Sequence, residues 1–423
     1  MRNLGGKVAF IEIKYKKLTQ NTIMLYMMTA AKIILPLVLL PYLTRILTKD
    51  AYGLVSYVKA VMQYMQLFVD FGFMLSATKE VALVREDKEK LSFINGDTTL
   101  ARCILAVFAF AVLLVMSFKM PLLNNNLLFT LLSFIPVALS CFFMDFLFRG
   151  LEEMHVLTIR FIITRGLSTF LTFFVVSSEK DLLWIPILEI IGSLAAIILV
   201  LFEINKRGLN LRITKIGKVV GKIKDSAVYF FSDMAATTFN ALNTILVGIY
   251  MTASQVADWS LCLQIAMGIQ ALYSPITGSL YPYMIKTKDL NIIKKILVMV
   301  MSVILIGTIV MYYLAPWGLT IIGGKKYVSA VPLLRAFIPL LILSFPAMLF
   351  GWPCLGAINK QAETSLTTVI TSIVQVLCLC ILLINDRFTL LNLAYLRGAT
   401  ESLMLIMRFG FCVKYRECFY KNE

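Results

Sequence analysis

Histidine is almost missing from this chain: 423 residues contain one, His155. It stands beside Glu152 and Glu153 in a loop, and one imidazole cannot supply the three or four nitrogen or sulfur ligands that a metal site needs. A solvated loop histidine is the reading left. Cysteine offers nothing more. The eight are scattered, mostly inside apolar runs, and form no CxxC pair, so they read as small apolar filler. Gly323-Gly324-Lys325-Lys326 lacks the glycine that a phosphate loop requires five residues before Gly324, because position 319 is Leu, and no ATP site follows. There is no G-x-S-x-G elbow and no paired-carboxylate loop outside the apolar runs. The longest loop on the face opposite the N-terminus, roughly 315–330, is short for the catalytic loop of a membrane glycosyltransferase or polymerase. No cofactor is expected.

Charge is scarce as well. Charged residues make up 15% of the chain, against about 25% in soluble domains. What fills the space is hydrophobic, 59% of the sequence, and it arrives in blocks of the length a helix needs to cross about 30 Å of hydrocarbon. Backbone groups in lipid must be satisfied within their own segment, so these blocks are helices. Twelve are expected, near 21–43, 52–78, 98–118, 126–148, 157–177, 182–204, 226–251, 256–281, 292–314, 331–356, 365–384 and 388–413. The first is longer than a signal-peptide core and is interrupted by Lys32, so it reads as a span and not as a cleaved leader. The expected fold class is an all-α integral membrane protein with about twelve helices in two six-helix lobes around a central cavity.

The 40 basic residues against 24 acidic ones give a net charge of +16, and their placement explains it. In and beside the loops on the N-terminal side stand 25, in the opposite loops 7, and within spans 8. By the positive-inside rule both termini are cytoplasmic. The excess charge then reflects topology and contact with anionic membrane lipid, and no nucleic-acid partner is expected.

The chain divides after the sixth span. Residues 1–204 form an expected N-terminal lobe and 226–423 a C-terminal lobe. Between them lies a basic stretch, 205–225, with Lys206, Arg207, Arg212, Lys215, Lys218, Lys222 and Lys224. Ile213, Ile216, Val220 and Ile223 recur in it at helical spacing, which suits an amphipathic helix on the membrane surface; a solvated linker is the other reading. A faint echo supports the division. Leu47-Thr48-Lys49-Asp50-Ala51-Tyr52-Gly53 follows the first span, Met251-Thr252-Ala253-Ser254-Gln255-Val256-Ala257 follows the seventh, and Ser56 and Ser260 come shortly after. Six spans per half would make the halves parallel repeats, the arrangement of rocking transporters.

The informative residues are charges inside spans, because a charge at mid-bilayer costs about 2.5–3.5 kcal/mol on insertion scales and so faces protein or water. Arg102, Asp145, Arg160, Asp258, Arg335 and Arg408 lie close to predicted span ends, where a structural role or snorkelling accounts for them. Lys32 is near mid-membrane, and Lys59, Arg165, Glu189 and Asp233 are also deep. Arg397 and Glu401 stand four apart on one helical face, where they would neutralise each other. The candidate anion-binding cations are Lys32, Lys59, Arg165 and Arg397, since Lys and Arg are the natural phosphate binders. The candidate cavity or ion-coupling acids are Asp70, Glu189, Asp233 and Glu401.

Pro41-Tyr42-Leu43-Thr44-Arg45-Ile46-Leu47, then Tyr52-Gly53, then Asp70-Phe71-Gly72-Phe73, resembles the opening signature of the polysaccharide-biosynthesis flippases, the O-antigen and capsule repeat-unit exporters of the multidrug/oligosaccharidyl-lipid/polysaccharide superfamily. Phe148-Arg149-Gly150-Leu151-Glu152, Gly323-Gly324-Lys325-Lys326-Tyr327 and Leu355-Gly356-Ala357-Ile358-Asn359-Lys360 are similar to later segments of that family. The resemblance implies a non-enzymatic flippase of the bacterial inner membrane. It would carry undecaprenyl-pyrophosphate-linked oligosaccharide from the cytoplasmic to the outer leaflet by alternating access. Polysaccharide polymerase and chain-length machinery would be the partners downstream, and Lys32 occupies a place broadly like that of cavity cations in related lipid II flippases. Two rivals stand beside it: a multidrug/cation antiporter of the same superfamily, and a membrane-embedded polymerase.

Overall fold

The computed structural model describes residues 2–237 and 241–419, with side chains from residue 20 onward except at 232, 235 and 236. The seventh expected span crosses 238–240, and the basic side chains Lys14, Lys16 and Lys17 precede residue 20; both lie outside what is described. The described residues are helical nearly throughout, and the chain is an all-α, multi-pass membrane protein. Among the described residues, eight helices are long and apolar enough to cross a membrane: Gln20–Ile46, Lys88–Lys119, Leu127–Gly150, Met154–Val175, Trp184–Lys206, Leu290–Gly323, Ile338–Ile358 and Gln361–Ile384.

The second, eighth and twelfth expected spans are helical without reaching that standard. The second is broken at Phe71 (φ 38°) and Gly72 (φ 76°) into Lys49–Asp70 and Phe73–Leu83. The eighth is broken at Leu272 into Ala253–Ala271 and Tyr273–Thr287. The twelfth, Leu390–Lys414, is unbroken but carries Arg397, Glu401, Arg408 and Lys414.

Helix starts follow local chemistry. Asp87 caps Lys88–Lys119 by accepting from the Lys90 amide at 3.0 Å, and Thr252 and Gln255 form a reciprocal capping box at Ala253. Leu290–Gly323 starts at Asp289 and stops at Gly324, whose φ of 81° suits a residue without Cβ. Within the fourth span, the helix Leu127–Leu139 passes through a tight 140–142 turn to Met144, at φ 52°, before the helix Asp145–Gly150.

The residues group into two compact units, Met1–Leu39 with Val61–Asp233, and Leu40–Ala60 with Met234–Glu423. The first has a core around Phe73, Phe146, Phe148, Leu157 and Val200. The second packs around Tyr273, Met284, Phe345, Leu355 and Cys354.

The 205–225 stretch is helical only in part. Trp184–Lys206 ends, 208–215 is irregular, and a new helix runs Ile216–Thr237. The irregular piece is strapped to the first turns of Lys88–Lys119. Arg212 N donates to Ser92 O (3.2 Å), Asn210 N to Ser92 Oγ (3.2 Å), and Thr214 N and Oγ1 to the two Asp97 oxygens (2.8 and 2.9 Å). Gly96 permits this approach, because a Cβ there would stand 2.0 Å from the Arg212 carbonyl oxygen.

Candidate functional site

In the first unit, both broken spans present a carboxylate at the break. Asp70 ends its helix just before Phe71, and Asp145 begins its helix just after Met144. Bulky residues rarely adopt positive φ, and such strain collects at sites that other interactions hold in place. Here arginines do the holding. Arg102, 7% exposed at its side chain, pairs with Asp70 at 2.6 Å. It also donates to the Cys141 carbonyl (3.4 Å) and Ser140 Oγ (3.5 Å), groups at the second break. Arg160 grips Asp145 through two contacts of 2.7 Å and lies 4.4 Å from the Phe143 ring centre. Such a fork between guanidinium and carboxylate is among the strong hydrogen-bonded pairs.

The two pairs belong to one electrostatic network. Asp145 feels the charges of Arg102 and Asp70 as well as Arg160. Lys32 lies in the field of Asp145, Arg149 and Arg160, with its ammonium 5.5 Å from the Phe161 ring centre. Asp233 lies in the field of Asp70. Four cations, Lys32, Arg102, Arg149 and Arg160, thus stand with three carboxylates, Asp70, Asp145 and Asp233. The arrangement holds charge inside a membrane protein while offering cations that an incoming anion could share.

Arg165 and Glu189 form a separate pair at 3.0 Å. Arg165 sits in a π-helical turn, Ile162–Leu167, a distortion frequent at functional sites. The neighbouring helix comes close there: a Cβ on Gly192 would be 2.4 Å from the Thr164 carbonyl oxygen.

In the second unit, Arg397 is buried on Leu390–Lys414 and donates to Gln375 Oε1 at 3.4 Å. Glu401, one turn on, lies in the field of both Arg397 and Arg408. Arg408 is committed to structure: it donates to Ala347 O (2.7 Å), Thr367 Oγ1 (3.1 Å) and Thr368 Oγ1 (3.0 Å), next to the kink at Gly351. The bond to the Ala347 carbonyl satisfies a backbone acceptor beside the kink. Lys59 is exposed on Lys49–Asp70.

The same unit joins the segments that carried the resemblance. Thr44 Oγ1 donates to Ile322 O at 2.7 Å, Arg45 to the Ile321 carbonyl, and Lys326 to the Leu47 carbonyl. Lys49 pairs with Asp258 at 2.7 Å and reaches Ser329 Oγ at 3.2 Å. The two echo segments touch, since a Cβ on Gly53 would lie 1.9 Å from the Ala253 carbonyl oxygen.

The predicted residues therefore fall as follows. Lys32, Asp70 and Asp233 share one network in the first unit, whereas Arg165 and Glu189 pair with each other. Arg397 and Glu401 meet in the second unit, and Lys59 belongs to that unit too. Arg102, Asp145 and Arg160 were set aside from sequence because each stands near a span end. The signal that could have found them is the coincidence of Asp70 with Phe71-Gly72, and of Asp145 with a span already weakened by Pro136.

The sequence pattern of the family described as "Polysaccharide biosynthesis protein" matches residues 18–288, well over half of the chain. The chain belongs to that family. Among curated relatives, this chain is 26% identical to a protein of Escherichia coli (strain K12) named "Putative O-antigen transporter", over 92% of this chain and 94% of that one. A protein of Shigella dysenteriae with the same name is 25% identical over 79% of this chain and 85% of its own length. Among solved structures, the lipid II flippase MurJ in an inward closed conformation superposes with a TM-score of 0.65 at 13% identity, covering 95% of this chain and 89% of that chain. An inward-facing multidrug resistance MATE family transporter of the MOP superfamily gives 0.64 at 12% identity, covering 92% and 100%. These two show the fold that the chain shares with them.

Proposed function

We propose that the protein is a flippase for lipid-linked oligosaccharides, moving undecaprenyl-pyrophosphate-linked repeat units of a surface polysaccharide from the cytoplasmic to the outer leaflet of a bacterial inner membrane, with both termini cytoplasmic. The observation that carries this reading is the network of buried Arg102 and Arg160 and exposed Lys32 with half-buried Asp70, Asp145 and Asp233, in the first unit of a chain whose relatives over most of its length are named as O-antigen transporters. Ionisable groups within spans mark pathways for polar cargo. In the empty protein the carboxylates neutralise the cations. An arriving diphosphate displaces Asp145 as the counterion of Lys32 and Arg160, so the charge stays compensated while the head group is inside. Arg165, Lys59 and Arg397 serve as further anion contacts on the way, and Glu189, Asp233 and Glu401 are the acids available to couple a proton. The prenyl tail remains in lipid. An inside-negative potential favours outward movement of the anionic head by about 2.3 kcal/mol per elementary charge per 100 mV. Polymerase and chain-length machinery would take the product.

Cells carrying Lys32→Gln or Arg397→Gln should lose most surface polysaccharide and accumulate its lipid-linked precursor, whereas Lys32→Arg should keep a measurable fraction. Normal surface polysaccharide in both glutamine variants would sink the cationic reading. The three carboxylates of this network keep a cation or drug antiporter as the second reading. That reading predicts drug susceptibility on deletion, with surface polysaccharide unchanged.

A further inference from the structure

The strap and the start of the helix behind it carry two unlike faces. Leu209 and Val219 are buried in the first unit's core, Lys222 pairs with Glu80 at 2.7 Å, and Ser226 meets Ser76 at 2.6 Å. With Asp97 and Ser92 holding 210–214, this face of the segment is fixed to the protein. The opposite face is apolar and bare: Ile213 is 55% exposed, Ile216 69% and Val220 42%, with Leu211 exposed beside them. From residue 216 on, positions 216, 220, 224, 228 and 231 fall on one side of the helix, and Ile216, Val220, Val228 and Phe231 are all exposed. Lys215 and Lys218 are exposed on a different side of the segment, and Lys224 is exposed within the stripe. A water-washed linker has no use for four bare aliphatic side chains. A segment lying in the membrane interface needs that division: apolar side chains below the headgroups, and lysines level with them.

We propose that residues 209–224 form a site for anionic phospholipid headgroups of the leaflet that borders the strap. Lys215, Lys218 and Lys224 meet the phosphates, and Ile213, Ile216 and Val220 insert beneath them. The inference rests on the loop-charge orientation only for which leaflet this is. It does not need the transport reading. Charge complementarity selects the occupant, because among the described residues Lys215, Lys218 and Lys224 form no ion pair with an acidic side chain, while the neighbouring Arg212 and Lys222 are already paired with Glu89 and Glu80. Bound anionic lipid would pin the segment that connects the two halves of the sequence.

The test uses the full-length protein in nanodiscs of phosphatidylcholine, with and without phosphatidylglycerol. Native mass spectrometry counts the lipids retained, and hydrogen exchange follows the 209–224 amides. Wild type should retain phosphatidylglycerol over phosphatidylcholine and exchange more slowly at 209–224 when it is present. The triple variant Lys215→Gln, Lys218→Gln, Lys224→Gln should lose that preference by about fivefold for each lysine removed. The corresponding Lys→Arg triple variant should keep it, which separates charge from folding. Equal lipid ratios in wild type and the glutamine variant would overturn the proposal. So would slowing of the same amides by inorganic pyrophosphate in detergent without lipid. A protein that keeps its lipid preference but moves no oligosaccharide would overturn the flippase reading alone.

Discussion

Asn in place of Asp145 is the most informative single change. It conserves shape but leaves the Arg160 guanidinium buried without its carboxylate, which now contacts it twice at 2.7 Å. Breaking a buried pair from one side costs about 3–5 kcal/mol. The Phe143 ring, 4.4 Å from the guanidinium carbon, remains to compensate, and a partly desolvated cation–π contact is worth about 1–2 kcal/mol. The lower end of the range applies, about 3 kcal/mol. At about 2–4 °C per kcal/mol for a unit of 150–250 residues, the purified variant should melt roughly 6–12 °C below wild type. The partner change decides whether this is the pair or merely the position. Asp145→Leu combined with Arg160→Met removes both charges, and such replacements are often neutral. The double variant should therefore regain most of the lost stability, giving a clear coupling energy in a double-mutant cycle. It should nevertheless fail to export polysaccharide, because the cation is gone. If the double variant melts no higher than Asp145→Asn, the two side chains are not energetically linked and the network as described is wrong.

Further outcomes follow from single sites. Gly96→Ala should push the Arg212 carbonyl away, since no room exists for a Cβ 2.0 Å from it; overpacking of this kind costs about 1–3 kcal/mol, and faster proteolysis near 208–215 would report it. Gly53→Ala should act likewise on the Ala253 backbone, read as a lower melting temperature with helicity unchanged by circular dichroism. Asp87 is titratable in a measurable way. The Lys90 amide, and then the Lys90 side chain, holds its carboxyl below the usual range. Its contribution is present above the unfolded pKa and is lost as pH falls through the lower folded pKa. The melting difference between wild type and Asp87→Asn should thus shrink on acidification below about pH 4, and a difference independent of pH would refute the capping charge.

Most of the class was legible in the sequence because lipid imposes a coarse rule. A block of about twenty apolar residues must be helical, and scarcity of charge is visible without any packing information. Eight blocks meet this rule outright. The interruptions were harder to read. Phe71 and Met144 take left-handed backbone although nothing in their residue type asks for it, and beside Phe71 the Tyr229 side chain and the Ser226 carbonyl crowd Gly72. Depth along a span also misled. Arg102 and Arg160 count as near-terminal only against expected spans that start at 98 and 157, whereas the helices begin at Lys88 and Met154 and place both well inside; Asp145 stands at a helix break within its span. The linker was half visible: its basic and aliphatic pattern can be read directly, while its attachment through Asp97 and Ser92 cannot.

Sequence alone determined what each segment could bear: which stretches can live in hydrocarbon, how many charges they must hide, and on which side the loop lysines collect. These are one-body preferences between a residue and its solvent, and they survive without knowledge of neighbours. Tertiary structure decided which hidden charges meet. Asp70 finds Arg102 from 32 positions away, and Lys49 finds Asp258 from 209. Such pairings depend on where two helices break and how closely they approach, which are properties of two segments at once. A membrane-buried charge must find a partner, but only the packing of the helices says which one.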